Sequence, residues 1–128
     1  MLETILMCLA VNVYFEARSD SMEGQYAVAH VVMNRVQSHR FPNDVCSVVT
    51  QHRKGRTCQF SWYCDGKSDK PKDAYAMAYA TMVAADVLRG ESVDTTGGAT
   101  HYHANYVRPY WASELEHTVT IGSHLFYK

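Results

Sequence analysis

The stretch Glu23-Gly-Gln-Tyr-Ala-Val-Ala-His-Val-Val-Met-Asn-Arg-Val36 decides the fold. Its centre, Ala27-Val-Ala-His-Val-Val-Met33, is apolar almost all round, and a helix without a polar face has to be enclosed by other elements. The pattern predicts a helix over 21–38 at the centre of a helical domain. Asp20 followed by Glu23 has the spacing of a capping box, with Asp in place of Ser or Thr. Upstream, Leu2, Ile5, Leu6, Leu9 and Val13 recur at helical spacing and predict an amphipathic helix over 2–17. Downstream, Phe41-Pro42 breaks the chain, and Asn43 can cap a short helix over 44–51. The Ala-rich segment 71–89 predicts a further helix, with Pro71 in its first turn and Gly90 at its end.

Between these helices, residues 52–70 are polar and irregular. The basic run His52-Arg-Lys-Gly-Arg56 reads as a solvated loop, and Gln59-Phe-Ser-Trp-Tyr-Cys64 as an extended segment within a surface loop. The last third changes character. After Gly97-Gly98, residues 99–103 alternate like a strand, and 117–121 with 124–127 read as a hairpin around Gly122-Ser123. The expectation is one α+β domain over 1–128, mostly helical, with a small C-terminal antiparallel β region.

Composition narrows the function. A chain of 128 residues buries about two-thirds of its unfolded surface. At 47% hydrophobic and net charge −1 it is not a disordered chain. Twelve basic residues against thirteen acidic ones argue against a nucleic-acid partner. No apolar run is long enough for membrane insertion. The first ten residues look superficially like a signal peptide, but Glu3 stands where a basic region belongs, so no export signal is expected. Of the four cysteines, Cys8 lies in an apolar helical run and is expected as a buried free thiol. Among Cys46, Cys58 and Cys64, one disulfide is expected in an oxidising compartment, its pairing open. No interface pattern stands out, so a monomer is expected.

Glu16 is the first candidate for chemistry. It follows Leu9 and Val13 on the apolar stripe, where desolvation raises an acid's pKa and keeps it protonated as a general acid. The plainer alternative ends the helix there and pairs Glu16 with Arg18 or Arg35. The carboxylates of Asp20 and Glu23 have a sufficient role at a helix start, and no second carboxylate shares an evident motif with Glu16. His101 and His103 lie on one face of the expected strand, and with His117 or His124 they could hold zinc for amide hydrolysis; no stronger metal motif is present. Cys46 near a helix start could be a reactive thiol, though a disulfide explains it as well. Nucleophile-elbow, Walker and dinucleotide motifs are absent. Phe60, Trp62, Tyr63, Tyr102, Tyr106, Tyr110 and Trp111 are interleaved with Gln59, Ser61, His101 and Asn105. Amphipathic aromatics beside amides suit a carbohydrate groove.

At these residues the chain resembles the SleB-type cell-wall hydrolases, the spore-cortex-lytic enzymes and their phage relatives. The resemblance is carried by Tyr14-Phe-Glu-Ala-Arg18, the Glu23–Val36 stretch, Arg40-Phe-Pro-Asn43 and Gln59-Phe-Ser-Trp62. It continues through Ala99-Thr-His-Tyr-His103, Pro109-Tyr-Trp111 and Ile121-Gly-Ser-His-Leu-Phe-Tyr127, covering essentially the whole chain in order. It implies a lysozyme-like fold and cleavage of peptidoglycan glycan strands without a cofactor or metal. It also implies Glu16 as the catalytic acid of a lytic transglycosylase, donating a proton and then taking one back. Gln59, Ser61, Trp62, His101 and Tyr102 are the residues expected to line the groove. Many relatives carry a signal peptide and a peptidoglycan-binding module. Without them, a phage endolysin is expected, made in the host cytoplasm and acting at the bacterial wall after release; the catalytic domain of a bacterial enzyme would look the same. The alternatives are a hydrolytic muramidase or glucosaminidase, the zinc amidase, and a glycan-binding domain without activity.

Overall fold

The computed structural model describes residues 4–55 and 57–128. Helix α1 (Ile5–Ala17) begins at Thr4, whose Oγ1 accepts from the Met7 amide at 3.1 Å. The expected start at Leu2 lies outside the described residues. Every residue from 8 to 14 is buried, so α1 is enclosed rather than amphipathic. It packs against α2 (Met22–Val36), α3 (Val45–Val49) and α4 (Ala74–Leu88), while α2 touches α1, α3, α4 and the sheet. The centre is therefore shared by two helices, not held by α2 alone. Asn12 hides this in the sequence, because it is a polar residue that the fold nonetheless encloses. Asn12 is fully buried and accepts a hydrogen bond from Trp62 Nε1 at 2.8 Å.

The cysteines correct another expectation. Cys8 is not a free thiol: it is bonded to Cys46, tying α1 to α3 across a Cα–Cα distance of 5.3 Å. Cys58 and Cys64 form the second disulfide. Burial alone could not separate a thiol from a half-cystine at position 8, because both are apolar.

The helix starts shift by one to three residues from those expected. Ser21, not Asp20, caps α2, its Oγ accepting from the Gly24 amide at 3.2 Å. Asp20 turns instead to His124, whose Nδ1 lies 3.2 Å from its carboxylate. Asp44, not Asn43, caps α3 by accepting from the Ser47 amide at 2.9 Å. Helix α4 starts after Asp73, beyond Pro71, because the Tyr14 hydroxyl accepts from the amides of Lys72 and Asp73 at 3.2 and 3.1 Å. Those bonds hold residues 72 and 73 against α1.

Residues 52–70 contain a two-strand ladder, β1 (His52–Arg53) with β2 (Thr57–Cys58), and a 3-10 turn, Ser61–Cys64. The expected extended segment is thus a tight turn. It swings Trp62 inward to reach Asn12 and to stack on Phe15 at 5.1 Å.

The C-terminal third forms the expected antiparallel sheet from β3 (His101–Ala104), β4 (His117–Ile121) and β5 (His124–Tyr127), in the order β3-β5-β4. Gly122, with φ +58°, makes the turn between β4 and β5. Alternation along the strands divides the sheet. Tyr102 and Phe126 face the helices, where Phe126 packs with Ala27 and Val31 of α2. His101, His103 and Tyr127 face outward, covered by Trp111 from a second 3-10 turn, Tyr110–Ser113. Among the described residues, no helix is long and apolar enough to cross a membrane.

Candidate active site

Glu16 sits in the last turn of α1, between half-buried Phe15 and buried Ala17. It opens onto a cleft of about 430 Å³, bounded by Tyr14, Phe15, Arg18, Ser61, Trp62 and the loop over residues 65–72. Burial raises its carboxyl above the ordinary value, while the Tyr102 hydrogen bond and the Arg35 charge oppose that rise only in part. The Tyr102 hydroxyl donates to Glu16 Oε1. A neutral Glu16 therefore carries its proton on the other oxygen. Tyr102 stays a donor, because burial and then the adjacent Glu16 push its own pKa well above the usual phenol value.

Helix α2 fixes this contact from the other side. Asn34 Nδ2 donates to Ala99 O at 2.9 Å, and Arg35 Nε donates to Thr100 O at 2.7 Å, clamping the chain just before Tyr102. Asp94 holds the preceding turn by accepting from Thr96 N at 2.8 Å and Gly98 N at 3.2 Å. Gly97 and Gly98 have φ of +70° and +82°, a backbone region that residues with a Cβ adopt at a cost.

Buried Arg35 lies over the Phe41 and Phe60 rings, 4.8 and 5.2 Å from their centroids. It acts on Glu16 as a charge at a distance. Among the described residues, neither Arg35 nor Arg18 forms an ion pair with Glu16. Arg18 instead stacks over Tyr14, 4.9 Å from its ring centroid. The plain pairing alternative for Glu16 is not what forms.

The candidate residues fall into three groups. Glu16, Ser61 and Trp62 line one cleft, though the Trp62 N–H is spent on Asn12. Tyr102 reaches that cleft through Glu16, whereas exposed Gln59 lies outside its lining and accepts at Oε1 from Arg35 Nη1 at 3.5 Å. His101 lies on the opposite face of β3, between Phe41 and Trp111. Its pKa falls to about 4, through burial first and then the charges of Arg35 and Arg40, so it is neutral near neutral pH. Both ring nitrogens of His103 are engaged, Nδ1 with Ala104 O at 2.7 Å and Nε2 with the Tyr127 hydroxyl at 2.9 Å. Among the described residues, no three His, Cys, Asp or Glu side chains are grouped to hold a metal ion.

Sequence reasoning missed Asp65 and the three lysines of the cleft, Lys67, Lys70 and Lys72. Their segment reads as an ordinary polar loop, and nothing in its linear pattern says that it folds back onto α1. Asp65 is exposed, and its Oδ1 accepts from the Lys67 amide at 2.9 Å.

The family model for cell wall hydrolases matches residues 19–127, beginning just after Glu16. A spore cortex-lytic enzyme of Halalkalibacterium halodurans is 31% identical over 122 residues, covering 94% of this chain and 34% of that protein. One from Oceanobacillus iheyensis is 30% identical over 129 residues, covering 96% and 41%. The chain thus spans well under half the length of these relatives. Among solved structures, the catalytic domain of the germination-specific lytic transglycosylase SleB from Bacillus anthracis superposes with a TM-score of 0.79 at 29% identity, covering 100% of this chain and 97% of that one. The catalytic domain of Bacillus cereus SleB gives 0.73 at 29% identity, covering 97% and 89%. The α+β architecture is that of these catalytic domains, and the chain belongs to the cell wall hydrolase family.

Proposed function

We propose that the chain cleaves the β-1,4 bond between N-acetylmuramic acid and N-acetylglucosamine in peptidoglycan as a lytic transglycosylase. The observation that carries this reading is Glu16, a carboxyl raised in pKa, held by Tyr102 and open to the cleft. Protonated Glu16 donates to the glycosidic oxygen, the bond from the muramyl anomeric carbon breaks, and the glucosamine unit leaves with a 4-hydroxyl. Ionised Glu16 then takes the proton of the muramyl 6-hydroxyl as that oxygen bonds to the anomeric carbon. The product is a 1,6-anhydro ring, and Glu16 returns protonated without water being consumed. One carboxyl serves both steps, and Tyr102 and Arg35 stabilise it while it is ionised.

Asp65 supports a second reading. A carboxylate on the same cleft could activate a water, as inverting glycosidases do, and give ordinary reducing ends. End-group mass spectrometry of digested peptidoglycan separates the two. Anhydromuramyl ends, retained in Asp65→Asn, fit the one-carboxylate route. Reducing ends lost in Asp65→Asn would move the assignment to hydrolysis.

Action at the bacterial wall, as a monomer released from a phage-infected host, completes the proposal. Two disulfides support work outside the reducing cytoplasm.

A further inference from the structure

The 65–72 loop puts three lysines, Lys67, Lys70 and Lys72, on the wall of the Glu16 cleft, with Arg18 beside them. Among the described residues none of the four pairs with a carboxylate. Glu16 is held toward its neutral form, which leaves exposed Asp65 as the opposing charge on the lining. A chain of net charge −1 thus concentrates positive charge at the cleft where its acid lies. The loop is also fastened at both ends. Cys64 is bonded to Cys58, and the amides of Lys72 and Asp73 donate to the Tyr14 hydroxyl. A cationic rim on an anchored loop raises the local concentration of anionic substrate.

We infer that this rim recognises carboxylates carried by the glycan strand, so that the cleft selects charged strands and not sugar rings alone. This rests on the reading that glycan strands are the substrate. Two groups on such a strand have the required chemistry: the carboxylates of the stem peptide, and the lactyl carboxylate exposed once the peptide is removed.

The test measures binding in a Glu16→Gln background, so that affinity is read without turnover. Fluorescent soluble strands are prepared in three forms: peptide-bearing, peptide-stripped with free lactyl carboxylates, and peptide-bearing with every carboxylate converted to an amide. Replacing Lys67, Lys70 and Lys72 together by Gln is expected to weaken binding of a carboxylate-bearing strand about tenfold. Replacing all three by Arg should preserve it, and added salt should erode it. The amidated strand should bind the lysine protein and the Gln variant equally weakly. The native strand with the larger loss identifies the source of the carboxylate. Equal affinity of the lysine protein for native and amidated strands, or no effect of the triple Gln change, would overturn the inference. Charge-dependent binding combined with a Glu16-containing protein that cuts none of the strands would count instead against the transglycosylase reading.

Discussion

Tyr102→Phe removes one hydroxyl and leaves the ring. That ring packs on Phe126 at 5.6 Å and on His124 at 5.5 Å, so the fold should be kept, at a stability cost of about 1–3 kcal/mol for the buried hydrogen bond that is lost. What is lost is the donor to Glu16 Oε1. A hydrogen bond to a charged group is worth about 1.5–3 kcal/mol. On the proposed route the Glu16 proton is partly transferred in the transition state, so roughly half of that is felt, which lowers kcat about four- to twelvefold. The pH profile gives an independent sign. Burial raises the Glu16 pKa, and the Tyr102 hydrogen bond opposes that rise. Without the phenol the carboxylate is less stabilised, so the pKa climbs further. In the proposed mechanism protonated Glu16 is the active form, so activity falls as pH rises through that pKa. The alkaline limb of kcat/KM should therefore move to higher pH in Tyr102→Phe. Assay of soluble strands across pH, with folding checked by circular dichroism, reads both effects. An unchanged kcat with an unmoved limb, or a limb moved to lower pH, would refute this account of Tyr102.

Two further predictions concern stability. A group whose pKa is raised by folding favours the fold below its unfolded value and loses that contribution as pH rises through the folded value. Glu16→Gln should accordingly melt higher than the parent protein at pH 8, with the difference vanishing near pH 4; a constant difference would contradict a raised Glu16 pKa. The Cys8–Cys46 bond spans 38 residues, and loop-closure entropy puts its loss at about 4 kcal/mol. A Cys8→Ala/Cys46→Ala variant should melt about 10–15 °C lower, and a loss under about 3 °C would show that the bond does not constrain the unfolded chain as supposed.

The elements legible in the sequence were those with strong periodicity or turn chemistry. Helix α2, the β4–β5 hairpin and the burial of the Glu16 carboxyl all follow from the spacing of apolar residues and from Gly122. The rest depends on contacts between distant segments. Tyr14 sets where α4 begins, and Asn12 and Trp62 turn an expected extended segment into a 3-10 turn. Cys8 reads as a thiol until α3 places Cys46 beside it. For the site, strand alternation separates Tyr102 from His101, but only the packing of β3 onto the helices sends Tyr102 to Glu16. The lysine-bearing loop joins the cleft through a disulfide and a phenol, neither of which any local pattern announces.

The most direct test of the central claim is digestion of purified peptidoglycan by this protein and by Glu16→Gln, with the variant first shown to be folded. On the proposed route the carboxyl donates the proton that breaks the glycosidic bond and takes back the one that closes the anhydro ring. The account predicts anhydromuramyl products from the Glu16 protein and none from the variant. Cleavage surviving in a folded Glu16→Gln protein would contradict it.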